Sequence, residues 1–460
     1  MAVLPVVIIG GGISGLAAAY FLSKRGIRAT LIEKDGRLGG LIRTDHVEGC
    51  DLEAGPDSFL AAKPELRELA GELGIADQII SSNDERRRVF IARRGALVPM
   101  PAGMVMMAPS DLPTAIRSSF FSAPTKLRFL REWFAKPKQR SGDVSVGEFV
   151  VDHFGQEVLD TIAEPLLTGV YGGDASQLSM ESVLPRFLNY ERECGSIIRA
   201  TRQERKQRKL SGSLFQSFAG GMETIVAALR RAIAELVDVR FTEATQIQHG
   251  DEHWRVLTLD GPFAAQHVIL ATPAHAAARL LETSIPEASQ ELTKIPYSSA
   301  ILVTMLFQQQ SFDHPLDGFG FLVPRRERFT IAASTWISTK FPSRITAGQA
   351  AVRSFIVADE AARLETASDE EIISRTRNDL RRWMGVQTAP RQTIVVRWPS
   401  SMPQYTVGHA LRVKGLQRIL SARMEASRNG LLVCGNAYSG VGIPDCIRSA
   451  RQAAEAVANL

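Results

Sequence analysis

Apolar residues run almost without interruption through Val3-Leu4-Pro5-Val6-Val7-Ile8-Ile9, halt at Gly10-Gly11-Gly12-Ile13-Ser14-Gly15, and resume in the small-residue stretch Leu16 to Leu22. The first run predicts a strand buried on both faces and the second a helix packed closely on its neighbours. Gly26 closes that helix, Arg28 to Ile32 predicts a second strand, and Glu33 follows it directly. From Leu97 to Leu210 the pattern predicts mainly helix punctuated by Pro and Gly, with a methionine-rich stretch at Met100, Met104, Met106 and Met107 that suits core filling, an apolar wall for a large ligand or a membrane-facing surface being the alternative. Val268-Ile269-Leu270, stopped by Ala271-Thr272-Pro273, predicts another fully buried strand. Residues 281–414 alternate apolar and polar positions, as in Ala300 to Phe307, and predict an antiparallel sheet with associated helices. The chain closes with a strand, Gly430 to Asn436, and a glycine turn, Gly440-Val441-Gly442-Ile443-Pro444-Asp445, that opens an Ala-rich helix.

The first glycine run carries chemistry because of what surrounds it. After a strand, Gly10 turns the chain, Gly12 lets the backbone approach a pyrophosphate, and Gly15 allows close helix packing. Ile13 and Ser14 then begin a helix whose free amides and dipole favour phosphate. Glu33 lies where a carboxylate accepts hydrogen bonds from ribose hydroxyls, which argues against a 2′-phosphate. Lys34 is next, and Arg37-Leu38-Gly39-Gly40-Leu41 predicts a turn in which Arg37 meets the pyrophosphate while the glycines let the chain pass a flavin. That combination favours FAD over a nicotinamide cofactor. The expected fold class is α/β and α+β: a discontinuous Rossmann-like FAD-binding domain (1–85, 211–280 and 415–460), a helical subdomain (97–210), and a mixed-sheet substrate-binding domain (86–96 and 281–414).

Composition narrows the class. A chain of 460 residues with 45% apolar content can fill two or three compact subdomains. Its 54 basic and 49 acidic residues leave a surplus of only +5, too thin for a nucleic-acid partner. The one dense basic run, Arg199 to Leu210, lacks interleaved aromatics and reads as a solvated or mobile face, with attraction of carboxylate-bearing substrates as the alternative. With a strand beginning almost at Met1 and no apolar stretch of spanning length, the expected location is cytoplasmic, with room for peripheral contact on the inner face of a membrane. Cys50, Cys194, Cys434 and Cys446 fit no zinc or redox spacing, and Cys434 and Cys446 read as buried structural thiols. His249 and His253 sit in a polar turn, so no metal site is expected.

Four further segments make the chain resemble the oxygen-dependent porphyrinogen oxidases of haem biosynthesis, within the flavin amine oxidase superfamily: Gly55-Pro56-Asp57-Ser58-Phe59-Leu60, Glu164 to Tyr171, Met402 to His409, and Gly440 to Ile447. The resemblance implies a noncovalent FAD site formed by Gly10, Gly11, Gly12, Ile13, Ser14, Gly15, Glu33, Lys34, Arg37, Gly39, Gly40, Leu41, Gly55, Pro56, Asp57, Ser58, Thr245, Trp398, Val441, Gly442, Ile443 and Pro444. Thr245 stands where the family usually places valine against adenine. The resemblance also implies that Gly169, Leu322 and Trp336 surround a tetrapyrrole, with Leu322 and Trp336 sandwiching a ring.

Two members of the family must be separated. Many protoporphyrinogen IX oxidases carry an arginine for a propionate where this chain has Val89, beside Arg88. The order Val441-Gly442-Ile443-Pro444-Asp445 looks more like the coproporphyrinogen III group. The implied activity is six-electron oxidation of coproporphyrinogen III, with molecular oxygen as acceptor and hydrogen peroxide released, and handover to neighbouring haem-pathway enzymes. Protoporphyrinogen IX oxidase, an amine oxidase, and a porphyrin carrier with structural FAD remain alternatives.

Overall fold

The computed structural model describes residues 3–207, 213–250, 252–427 and 429–460. Arg208, Lys209 and Leu210 of the basic run, and Asp251 between the two histidines, lie outside the described residues.

Two seven-stranded sheets organise the chain. In the first, the strands Val237–Phe241, Ala29–Glu33, Val3–Ile9 and Gly261–Leu270 lie parallel, in that order. The short strand Leu431–Val433 adds parallel to the end of Gly261–Leu270, and the antiparallel strands Trp254–Thr258 and Ala244–His249 extend the other edge. Val6, Val7, Ile8 and Ile9 are buried because both faces are covered. One face carries the first helix, Ile13–Ser23, packed on the final helix, Ile443–Ala458, through Leu16, Ala17, Ala18, Ile447 and Ala450. Small side chains bring these two helix axes close, so both helix N-termini open at the same end of the sheet as Glu33.

The second sheet runs Gln392–Pro403, Tyr297–Gln308, Gln349–Val357, Ala333–Trp336, Gly320–Leu322, Val89–Arg93 and Ala96–Pro99. All its pairs are antiparallel except Gly320–Leu322 with Val89–Arg93. Strand alternation divides its faces. Ile301, Val303, Met305, Val352, Phe321 and Trp336 bury against the helix Asp369–Met384. Ala300, Leu302, Phe355, Val396 and Trp398 look the other way and pack on Ala54, in the segment that follows the first sheet's second strand.

A layer of helices from Leu112–Arg117 to Ile197–Gln207 packs around Phe121, Phe129, Phe149, Phe154 and Phe187. Met107 is buried in this core and Met100, Met104 and Met106 are half-buried against it, which bears out core filling. The expected helical pattern starts late: Ala96–Pro99, Met104–Val105 and Ala108–Pro109 are short strands. Pro99, Pro101, Gly103 and Pro109 deny this stretch a helical hydrogen-bond ladder. At the centre of the helical layer His153 bridges two carboxylates, Glu132 Oε1 at 3.2 Å and Glu191 Oε1 at 3.1 Å.

Candidate functional site

The glycine loop forms a cradle whose openness differs from one glycine to the next. Gly10 has φ +107°, and a Cβ there would stand 2.7 Å from the Ala271 carbonyl oxygen. A Cβ on Gly11 would press on Leu38 and Glu33, and one on Gly15 would collide with the Gly10 carbonyl. Gly12 is the exception. Its Cβ would meet nothing nearer than the Gly40 Cα at 3.9 Å, so open space remains where the backbone amides of Ile13 and Ser14 begin the helix. That space suits a phosphate and has no use for a side chain.

Glu33 is buried and accepts from the Gly11 amide at 2.6 Å and the Asp35 amide at 2.8 Å. Each carboxylate oxygen keeps a second lone pair, so ribose hydroxyls can still be accommodated. Lys34 is exposed beside it. Arg37 donates to the Leu38 and Ile42 carbonyls at 3.1 Å each, and to the Gly40 carbonyl. The guanidinium that the sequence aims at a pyrophosphate is thus committed to backbone carbonyls, where it holds the turn Gly39-Gly40-Leu41 against Gly12. Thr245 is exposed in a bulge four residues beyond Phe241, the residue paired with Glu33, and its hydroxyl donates to the Leu257 carbonyl.

A second wall continues from this turn. A Cβ on Gly55 would collide with the Leu41 carbonyl, so Gly55 and Leu41 are in direct backbone contact. Pro56, Asp57 and Ser58 are half-buried next in line, and the Trp398 indole donates to the Ala54 carbonyl at 2.7 Å, tying the second sheet to this wall. Asp57 is salt-bridged to Lys340 at 2.9 Å, and Arg353 lies at 3.7 Å. Burial opposes the Asp57 charge, but these two cations outweigh it and hold the carboxyl far below its usual range. Val441, Gly442, Ile443 and Pro444 form the N-terminus of the final helix, with Asp445 accepting from the Gly442 amide and salt-bridged to Lys63 at 2.5 Å.

Of the residues that the resemblance sets around a tetrapyrrole, Gly169 and Leu322 are neighbours: a Cβ on Gly169 would lie 3.6 Å from Leu322 Cδ2. Trp336 does not join them, which corrects the expected sandwich. It is fully buried on the opposite sheet face, among Phe90, Phe321 and His314, with its indole donating to Met384 Sδ at 3.1 Å. The cause is parity: Trp336 pairs with Val352, whereas Leu322 belongs to the face that carries Phe355 and Arg353. Val89, opposite Gly320, shares the face of Leu322, while Arg88 is paired with Asp317 at 2.9 Å.

Phe355, Lys340 and Arg353 line or brace this region and went unnoticed in the sequence. Strand parity could have found Phe355 and Arg353 once their register was known. Cys434 and Cys446 are buried free thiols. Burial pushes Cys446 up to about 12, which leaves it without nucleophilic thiolate. Among the described residues no group of His, Cys, Asp and Glu could hold a metal ion, and no helix is long and apolar enough to cross a membrane.

A parallel nucleotide-type sheet with an open glycine loop faces a second sheet across a glycine wall, the layout expected of a flavin-dependent oxidoreductase. The model of the flavin-containing amine oxidoreductases matches residues 13–458, and the chain belongs to that family. Among its relatives, the coproporphyrinogen III oxidase of Bacillus subtilis (strain 168) is 32% identical, covering 97% of this chain and 96% of that protein. The chloroplastic protoporphyrinogen oxidase 1 of Spinacia oleracea is 29% identical over 99% of this chain and 84% of its own length. A solved structure of a candidate protoporphyrinogen oxidase from Exiguobacterium sp. 255-15 superposes with a TM-score of 0.87 at 31% identity, covering 99% of both chains.

Proposed function

We propose that this enzyme binds FAD noncovalently and oxidises coproporphyrinogen III to coproporphyrin III, with oxygen as the final acceptor and hydrogen peroxide as the by-product, in haem biosynthesis. The observation that carries this reading is the end-to-end likeness to coproporphyrinogen III oxidases, which spans both the nucleotide cradle and the second sheet. Residues 1–85, 211–280 and 415–460 would hold the cofactor, 86–96 and 281–414 the substrate, and 97–210 would close the site from the side.

Bound FAD supplies the two-electron chemistry, which must be repeated to remove six electrons from one macrocycle. The chain's own residues orient and exclude. Gly10 to Gly15 and the first helix's N-terminus receive the phosphates, Glu33 the ribose, and Gly39 to Leu41, Gly55 to Ser58, Trp398 and Val441 to Pro444 enclose the ring system. Gly169 and Leu322 offer an apolar wall to the tetrapyrrole, which keeps water from the reacting carbon. Val89 supports the choice of substrate: it faces the same side as Leu322 and presents no guanidinium, while Arg88 is held by Asp317. Replacing Val89→Arg is expected to shift the kcat/KM ratio toward protoporphyrinogen IX by about tenfold or more, the value of one charge-assisted contact. An unchanged ratio would remove position 89 from the tetrapyrrole site.

Peripheral attachment to an anionic membrane belongs to the same reading. On the helix Ala123–Trp133 and the residue after it, Leu127, Leu130 and Phe134 form one apolar stripe, with Phe134 78% exposed. Lys126, Arg128, Arg131, Lys136 and Lys138 flank the stripe. The neighbouring helix adds Arg202, Arg205 and Lys206, and the Arg202 guanidinium lies 5.4 Å from the Trp133 ring. Apolar side chains inside a basic collar match an anionic bilayer surface. A second copy would set cation against cation across a twofold axis.

A further inference from the structure

Behind the wall Ala54–Ser58 lies a buried ion group with more positive than negative charge. Glu53 pairs with Arg344 at 3.0 Å, and Asp57 faces both Lys340 at 2.9 Å and Arg353 at 3.7 Å. Arg344, Lys340, Arg353 and Glu53 are all at least nine-tenths buried, so two carboxylates answer three cations away from solvent. The next acid outward, Glu223, is separated from Glu53 by Thr44 and accepts from the Thr44 amide. Aromatic faces of Phe215, Phe341 and Phe355 lie 4.7 to 5.3 Å from the cationic groups, but they supply no full charge. Arg353 Nε is buried without a hydrogen-bond partner. An uncompensated buried charge is costly unless something answers it.

The surplus is aimed. Arg353 donates to the Gly55 carbonyl, and Lys340 donates to Ser58 Oγ at 3.0 Å, so both cations touch the inner side of the wall from behind. The other positive feature of the site, the N-terminus of the final helix, carries Asp445, whose charge is already met by Lys63 and Arg448. The charge of Lys340 and Arg353 therefore adds, from the second sheet's side of the wall, to that of this helix N-terminus.

We infer that Lys340 and Arg353 are positioning residues that stabilise the negative charge a flavin ring gains on reduction, raising its reduction potential from behind the Gly55–Ser58 wall. The inference rests on the proposed placement of FAD against that wall. It gives Arg353, on the strand Gln349–Val357, and Lys340, on the helix Ile337–Lys340, a redox role beyond holding the substrate, and it explains why cations are buried behind the wall where apolar packing would have been less costly.

The test uses the flavin-loaded enzyme and a probe independent of turnover. Sulfite adds to oxidised flavin and leaves negative charge on the ring, so its Kd, read from the loss of flavin absorbance, reports on the surrounding charge. Lys340→Met and Arg353→Gln are expected to weaken sulfite binding about tenfold and to lower the flavin midpoint potential by about 30 mV, the two-electron equivalent of that factor. Asp57→Asn enlarges the surplus and is expected to shift both readouts the opposite way, and Lys340→Arg to restore them. Should Lys340→Met fail to fold, Arg353→Gln and Asp57→Asn still give opposed signs. A merely structural role predicts no ordering by charge, and shifts of one sign, or none, in flavin-bound variants would overturn the inference. Flavin released on denaturation of the unsubstituted protein separates the two claims: its absence would sink the FAD reading itself.

Discussion

Gly12 and Gly15 stand three residues apart, one capping the first helix and one inside its first turn, yet the structure asks different things of them. A side chain at Gly12 enters open space, so Gly12→Val is expected to fold with an unchanged melting temperature and to bind no FAD. Gly15→Ala drives a Cβ into the Gly10 carbonyl and is expected to fail in folding as well as binding. Comparing flavin absorbance with the melting curve of each variant checks the pair, and a flavin-loaded Gly12→Val protein would place the phosphates elsewhere. Trp336 gives the converse case. Fully buried among Phe90, Phe321 and Met384, it is expected to cost about 3 to 5 kcal/mol on truncation to alanine, read from urea denaturation. Lost turnover at unchanged stability would return Trp336 to the substrate. The sequence showed both glycines because their chemistry is local to one turn. It misassigned Trp336 because the face a strand residue looks toward depends on register across strands far apart in the chain.

At the scale of elements, the helical layer contains a charge device that spacing could not reveal. His153 on the helix Val146–Phe154 meets Glu132 and Glu191 from two other helices, and Arg140 joins Glu191 at 2.8 Å. Burial disfavours the imidazolium, but the two carboxylates outweigh it and raise the His153 pKa above its ordinary 6.5. Burial likewise opposes the Glu191 charge, and His153 and Arg140 overcome it to bring that carboxyl down to about 2. The signs follow from linkage. The stability His153 contributes is complete below pH 6.5 and is lost as pH rises through the raised value. The stability from Glu191 is complete above its ordinary 4.5 and is lost as pH falls toward 2. Protection factors in these helices, exchange rates divided by the intrinsic base-catalysed rate at each pH, are therefore expected to fall from pH 6.5 upward, and His153→Leu to remove that fall while destabilising the layer by about 3 to 5 kcal/mol. An unchanged pH profile in the variant would show that His153 stays neutral. The periodic strands of the first sheet, by contrast, were legible because burial on both faces leaves an unbroken apolar run, as in Val6 to Ile9.

Over the whole molecule, the sequence revealed the nucleotide end and the alternating second sheet, since each depends on short-range patterning. The stretch from Ala96 to Pro109 was misread as helix because its strands are two to four residues long, too short to show a period. The buried cations Lys340, Arg344 and Arg353 were invisible for another reason: their partners Glu53 and Asp57 come from the opposite end of the chain. Surface chemistry adds a test at this scale. Co-sedimentation with phosphatidylglycerol vesicles is expected to be strong at low salt, to weaken with salt, and to fall when Leu127, Leu130 and Phe134 are replaced by serine. Equal binding to neutral phosphatidylcholine vesicles would discard the basic collar, and self-association in place of vesicle binding would assign the stripe to a second copy.

Whether the cradle and the second sheet together oxidise a porphyrinogen is decided by side-by-side turnover of coproporphyrinogen III and protoporphyrinogen IX, both prepared anaerobically and assayed at one oxygen concentration. Porphyrin fluorescence and hydrogen peroxide are expected to rise together, with the higher kcat/KM for coproporphyrinogen III. A higher value for protoporphyrinogen IX would contradict the assignment of substrate, and flavin-loaded protein that oxidises neither would contradict the account as a whole.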